Sequence, residues 1–361
     1  MTSNQNRTSG ASSNENIRLI DKLESDGALS LDEFHALISS FSAADAEYAR
    51  RAARRIADSI FGRKIFLRGL IEFTGYCKND CYYCGLRRSN RLASRYRLSH
   101  DEIMACCRSG YNLGFRTFVL QGGEDPFYTD ETMTKIIGDI RDSFPDCAIT
   151  VSFGEKSRST YQKYRDAGAT RYLLRHETAD PAHYARLHPS DMSFENRKRC
   201  LRDLKDIGFQ TGCGMMTGSP WQTPLQLAED MIFIRSLSPE MVGIGPFIPH
   251  SQTPFRDEPR GSAGLTLFML SLVRIMLKNV LLPSTTALAS IRPDGRQLGI
   301  LAGANVIMPN LSPPAVREKY SIYDGKAYTG AEDARGIELL RGELKAIGCE
   351  ISDERGDWRP I

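Results

Sequence analysis

From residue 64 onward the chain repeats one pattern. A short, nearly continuous apolar run gives way to a Gly-rich polar break, then to a longer stretch with apolar residues three or four apart. Continuous apolar runs of this length read as strands buried on both faces, and the three-to-four spacing reads as amphipathic helix. The strand runs are 65–73, 117–121, 148–153, 171–174, 210–216, 241–244, 281–286 and 305–308. Helices are expected over 99–112, 130–143, 157–167, 193–207, 224–236 and 265–278. Two starts are well marked: Ser99-His100-Asp101-Glu102 is a capping box, and Pro224 after Thr223 suits a first helical position. The seventh crossover, near 294–302, is the weakest, because Gly295, Gly299 and Gly303 disfavour a regular helix. Eight strands alternating with helices predict an α/β protein built as a closed (β/α)8 TIM-type barrel.

The flanks differ in pattern. Residues 15–62 read as an N-terminal helical cap, with a capping box at Ser30-Leu31-Asp32-Glu33 and an Ala- and Arg-rich helical stretch over 43–60. The arginines of 50–55 suit a solvated helix face. Residues 1–14 are polar, lack the apolar core of a signal peptide and read as a disordered tail. The expected organisation is therefore tail 1–14, helical cap 15–62, barrel 63–311, and a C-terminal part 312–361 made of a lid-like segment, a helix around 331–347 and a polar tail.

Composition narrows the classes. Of 361 residues, 41% are apolar, enough for a large core, and the net charge of +3 is too small and dispersed to indicate nucleic acid. The most apolar window, 265–282, is interrupted by Arg274 and Lys278 and reads as a buried helix running into a strand, not a membrane span. Nine cysteines, an odd number with three clustered, do not make a disulfide framework and point to a reducing cytoplasm.

The clustered three carry the chemistry. Cys77, Cys81 and Cys84 follow the first strand with C-x3-C-x2-C spacing. A cubane 4Fe–4S cluster normally takes four thiolates, so three neighbouring ligands leave one iron open for another group. A structural zinc site would want a second cysteine pair, and none stands nearby. Three buried structural cysteines remain the bland alternative. Cys106, Cys107, Cys200 and Cys349 read as small core residues, while Cys147 and Cys213 flank or sit in strands, and Cys213 could face a barrel cavity.

With that loop, the chain resembles the radical S-adenosylmethionine (radical SAM) superfamily, and within it the HydE family of FeFe-hydrogenase maturases, over about residues 15–325. The resemblance lies in Tyr83-Cys84-Gly85-Leu86-Arg87-Arg88, Gly123-Glu124-Asp125-Pro126, the segment Tyr172 to Thr178, Ser193 to Arg197, Val242 to His250 and Ala304 to Asn310. It implies that a reduced cluster cleaves S-adenosylmethionine to methionine and a 5′-deoxyadenosyl radical. It implies Cys77, Cys81 and Cys84 as cluster ligands, Tyr83 against the adenine, and the turn Gln121-Gly122-Gly123-Glu124 on the methionine amino group. Glu177, helped by Arg175, would hold the ribose hydroxyls, and Arg197 the methionine carboxylate. Arg68, Thr285, Thr286, Met308, Tyr320 and Tyr323 would surround an anionic or organometallic substrate. Without the resemblance, the turn reads as an ordinary strand-to-helix connection, the charged residues as rim ion pairs and Met308 as barrel core.

The resemblance further implies a low-potential electron donor such as a ferredoxin or flavodoxin, companion maturation proteins, a small-molecule or organometallic substrate, and neither nucleic acid nor membrane. Some family members bind a second cluster through C-terminal cysteines; residues 309–348 hold none, so one cluster is expected. Biotin synthase, a neighbouring branch, needs further cysteines inside the barrel; here the third strand ends Thr150-Val151-Ser152-Phe153-Gly154 without one. Methylornithine synthase, a lysine mutase, is the nearer alternative. A non-catalytic iron–sulfur carrier or scaffold is the non-enzyme alternative.

Overall fold

The computed structural model describes residues 6–327 and 336–361. Three helices lead: α1 (Asn6–Asp26), α2 (Leu31–Ser40) and α3 (Ala43–Phe61). Residues 1–5 of the expected tail lie outside the described residues, and α1 begins inside the remainder. Capping boxes at Ser30 and Ser42 start α2 and α3. The small buried face of α3 (Ala49, Ala52, Ala53, Ala57) lets it pack closely on a later helix, α10 (Ala263–Met276). Arg51 and Arg55 face solvent as expected, but Arg54 turns inward and donates to Ile300 O at 3.0 Å.

The barrel wall is parallel throughout. Strands β2 (Gly69–Thr74), β3 (Thr117–Gly122), β4 (Ala148–Ser152), β5 (Arg171–Leu173), β6 (Gln210–Thr217) and β7 (Met241–Pro246) form one sheet in sequence order. Between them run α4 (His100–Asn112), α5 (Asp130–Ser143), α6 (Arg158–Asp166), α7 (Pro181–Leu187), α8 (Phe194–Ile207) and α9 (Pro224–Leu237). A second small sheet places β1 (Lys64–Leu67) between β8 (Val306–Ile307) and β9 (Glu350–Ser352). Isolated bridges Met241↔Leu281, Pro283↔Val306 and Leu70↔Asn310 carry the ring past β7 to β8 and back to β2.

Three expectations need correction. The first strand is split at Arg68 into β1 and β2, each belonging to a different sheet. The seventh, 281–286, makes only single bridges, because Pro283 has no N–H to donate and Thr286 already opens α11 (Thr286–Ile291). The weak seventh crossover does form a helix, α12 (Gly295–Leu301), packed with α11. Of the C-terminal helix expected near 331–347, the described part is α14 (Ile337–Ala346), after the short α13 (Pro314–Arg317); 331–335 lie outside the described residues.

The tail beyond α14 is structural. Its strand β9 pairs with β1 in the register Lys64↔Glu350 and Ile65↔Ile351. Beyond β9, Asp357 Oδ1 meets fully buried Arg171 at 2.7 Å, and Arg355 O accepts from Thr117 and Arg171 at 2.8 and 3.0 Å. Trp358 packs on Phe66 and Met241. This end plugs the floor of the barrel and leaves the opposite, C-terminal strand ends as the open mouth, where such barrels keep their chemistry. In α10, buried Arg274 donates to Gly303 O, Lys278 O and Asn305 Oδ1, which accounts for a charge inside the most apolar window. Among the described residues no helix is long and apolar enough to cross a membrane.

Candidate active site

The cysteine loop follows β2 and is held from several sides. Arg95 donates to four carbonyls of the loop: Gly75 and Leu86 at 2.8 Å, Arg87 at 2.7 Å and Asn90 at 3.0 Å. Asp80 takes a two-pronged contact from Arg87 at 2.8 and 2.7 Å. Asp125 accepts from Thr74 Oγ1 and from both prongs of Arg97, whose guanidinium also lies 3.9 Å above the Tyr76 ring. Gly85 leaves no room for a side chain, since a Cβ there would lie 2.2 Å from Ser321 O and 2.3 Å from His250 Cδ2. Gly123 does the same for the other flank, where a Cβ would stand 2.3 Å from Tyr76 O and 2.7 Å from Cys77 Cβ.

Cys77, Cys81 and Cys84 are free thiols, partly accessible, on this one loop. Burial pushes all three thiols up; at Cys81 the neighbouring Cys84 and Cys77 push further, and Cys84 is pushed up to about 12 by burial and Cys77. Three such sulfurs become thiolates only with a cationic group among them. Among the described residues no set of ligands converges tightly enough for a single metal ion. Three cysteines on one short loop with no fourth ligand beside them suit a cube with one open corner better than a closed tetrahedral zinc site. Met192 Sδ lies 3.6 Å from Cys81 Sγ.

Strand ends complete the mouth. The turn after β3 carries Gln121, Gly122, Gly123 and Glu124. Glu124 is buried; it accepts from Glu155 N at 2.9 Å, lies 3.3 Å from Lys78 Nζ, and needs Gly154 beside it, because a Cβ there would fall 2.0 Å from its side chain. Beyond β5, Arg175 Nη2 and Glu177 Oε2 are 3.4 Å apart, too far for a normal hydrogen bond. Arg175 Nε and Nη2 and Glu177 Oε2 are all buried without a hydrogen-bond partner. On α8, Arg197 lies 2.6 Å from Glu155 Oε1 and donates to Arg175 O at 3.1 Å. Tyr83 O–H is 3.1 Å from His188 Nε2, and His188 Nδ1 is 3.0 Å from Tyr184 O. Burial, with Arg197 nearby, lowers His188 to about 3, so the ring is neutral and Nε2 accepts from Tyr83.

Below the loop lies a cavity of about 380 Å³. Cys81, Cys84, Tyr83, Gln121 and Gly122 line it together with Arg175, Glu177 and Arg197. Thr285, Thr286, Met308, Tyr320 and Tyr323 line it too, and Thr285 Oγ1 is buried with no partner. Cys77, Gly123 and Glu124 are not among the residues that line it, and Gly123 packs directly against Cys77.

Arg68 is buried, and its Nε and Nη2 have no hydrogen-bond partner. It is not part of the cavity wall; its Nη1 points to Met241 Sδ at 3.0 Å, and Arg171 of the barrel floor is its strongest charged neighbour. Arg68 stands between β1 and β2, where the chain passes from one sheet to the other.

Sequence reasoning missed Glu72 and Lys326. Glu72, 1% exposed, binds Lys326 Nζ at 2.5 Å and Asn310 Nδ2 at 2.9 Å on the cavity wall. A lone carboxylate between Ile71 and Phe73 was the available signal. Lys326 belongs to a segment, 320–327, strapped over the mouth by Gly85 N to Ile322 O, Asp324 N to Pro249 O and Ala327 N to Ser290 Oγ.

Comparison with known proteins agrees with this geometry. Residues 71–234 match the family model described as the radical SAM superfamily. The [FeFe] hydrogenase maturase subunit HydE of Thermotoga maritima is 43% identical over 85% of this chain and 88% of its own length. A 3-methylornithine synthase of Methanosarcina barkeri is 30% identical over 91% and 92% respectively. A crystal structure of methylornithine synthase superposes with TM-score 0.81 at 28% identity, covering 92% of this chain and 97% of that one. One of HydG, a maturase of the [FeFe]-hydrogenase, gives 0.80 at 18% identity over 94% and 76%, and shows the shared barrel. The chain belongs to the radical SAM superfamily and is an enzyme that uses a 4Fe–4S cluster and S-adenosylmethionine.

Proposed function

We propose that this enzyme matures the active site of an FeFe-hydrogenase, acting as HydE does on a small, iron- and cysteine-containing species at its sulfur. The observation that carries this reading is 43% identity across 88% of the Thermotoga maritima maturase. Cys77, Cys81 and Cys84 are the proposed cluster ligands. They would hold the 4Fe–4S cluster, which when bound would supply the electron for reductive cleavage of S-adenosylmethionine.

The chain's own residues bind, orient and exclude water. Arg197 takes the ligand carboxylate with the donors that Glu155 leaves over. The side chain of Glu124 is spent on Glu155 N and Lys78, so an amino group at this turn meets main-chain carbonyls, which Gly122 and Gly123 allow to come close. Arg175 and Glu177 bring unspent polar atoms to ribose hydroxyls, and Tyr83 flanks the base. Thr285, Thr286, Met308, Tyr320 and Tyr323 surround the substrate, and the 320–327 strap keeps bulk water from the radical.

The reading includes a low-potential iron–sulfur or flavin protein as electron source, companion maturation proteins, and a reducing cytoplasm suited to nine free cysteines. Added to an anaerobic mixture of apo-hydrogenase and the other maturation proteins, the chain should restore hydrogen evolution, and Cys81→Ala should not. No restoration by the wild-type chain defeats the proposal.

The TM-score of 0.81 to methylornithine synthase favours lysine isomerisation as the second reading. An isomerised amino acid formed from lysine under reducing conditions would select it.

A further inference from the structure

His176 stands between Arg175 and Glu177 but turns away from the cavity. It is 1% exposed, and its Nε2 lies 3.2 Å from Asp230 Oδ1 on α9. Its Nδ1 accepts the Gly214 N–H at 3.2 Å, so the ring hydrogen sits on Nε2 and points at Asp230. The same Asp230 oxygen accepts the Ala179 N–H at 2.6 Å. Gly214 O, for its part, accepts the Glu177 N–H at 3.0 Å. Gly214 admits no side chain, because a Cβ there would lie 2.0 Å from Gly243 O. The end of β5 is thus pinned to β6 on both sides of one glycine, and one pin runs through an imidazole.

Those pins hold a costly conformation. Glu177 has φ +68°, a left-handed setting that costs a non-glycine residue on the order of 1–3 kcal/mol and persists only where its surroundings force it. Both side chains line the cavity, where Glu177 Oε2 and Arg175 Nε and Nη2 make no hydrogen bond and the two groups meet only as a loose 3.4 Å ion pair. A buried Asp–His pair is itself expensive to desolvate, and neither member lines the cavity.

We propose that His176 and Asp230 are positioning residues for S-adenosylmethionine. They clamp Glu177 in its left-handed conformation and so aim the Arg175/Glu177 pair at the ligand. This rests on the assignment of Arg175 and Glu177 to the S-adenosylmethionine site.

The test is calorimetric titration of cluster-loaded protein with S-adenosylmethionine, without reductant, so that no turnover occurs. Replacing both partners by apolar groups, His176→Phe with Asp230→Leu, removes the clamp without leaving a lone buried charge beside Phe233. That variant should bind about tenfold more weakly at unchanged iron content. Asp230→Asn keeps the Oδ1 acceptor and should stay within roughly threefold of wild type. Wild-type affinity in the double variant, or an Asp230→Asn loss as large as the double variant's, overturns the proposal. Should the double variant fail to fold, the ring's nitrogen NMR signals decide: hydrogen on Nε2 upholds the clamp, and hydrogen on Nδ1 breaks it. If the wild-type holoprotein does not bind the ligand, the site assignment falls as well.

Discussion

Lys326 Nζ lies 2.5 Å from Glu72 Oε1, and this buried pair ties the strap over the mouth to the second strand of the barrel. Burial pushes the Glu72 carboxyl up, while Lys326 and Asn310 pull it back toward ionisation. Lys326→Met takes from Glu72 its ammonium partner and should cost about 3–5 kcal/mol, since removing one partner of a buried pair strands the other charge. Glu72→Gln combined with Lys326→Met should recover most of that loss. Thermal denaturation of the three proteins is the measurement, and equal midpoints for the single and double variants would refute the pairing.

His188 gives the stability a pH signature. Burial first, and Arg197 second, lower its pKa to about 3, against 6.5 for an exposed ring. A depressed folded value means stability present above pH 6.5 and lost as pH falls toward 3, because the unfolded chain binds the proton first. Between pH 7 and 5 this one residue should remove about 2 kcal/mol. The His188→Gln variant should show a flatter dependence of unfolding free energy on pH by that amount. A slope unchanged from wild type would contradict a neutral, buried ring.

Arg95 should govern iron loading. Its four bonds to loop carbonyls fix the path of the chain from Gly75 to Asn90, on which all three cysteines lie. Arg95→Met should lower the iron retained after anaerobic reconstitution severalfold while the barrel still melts cooperatively. Iron analysis after gel filtration, with circular dichroism for the melt, reads both quantities.

Asp357 should matter to the whole fold although it sits near the chain's end. Asp357→Ala strands Arg171, which is fully buried, and should cost about 3–5 kcal/mol in chemical denaturation. A tail that merely hangs in solvent would give no change.

The barrel was legible because its signal is local. Val119, Leu120, Ile149, Val151, Val242 and Ile244 make short apolar runs whose partners follow one crossover later. The cysteine loop stood out by its own spacing after the first of these runs, whereas the polar strand ends were singled out only through the family resemblance. Other features depended on residues far away in sequence. The plug pairs Asp357 with Arg171 and Arg355 with Thr117, and nothing within residues 350–361 signals those partners. Lys326 reaches Glu72 across 254 residues for the same reason.

The central claim is that three cysteine sulfurs hold an iron–sulfur cube whose remaining corner binds S-adenosylmethionine. Electron paramagnetic resonance of the anaerobically reconstituted, dithionite-reduced protein tests it most directly, recorded before and after S-adenosylmethionine is added. A 4Fe–4S signal that shifts on addition, and is missing from Cys81→Ala, is the predicted result. A protein loaded with zinc, or a cube whose signal stays the same when the ligand is added, would contradict the account.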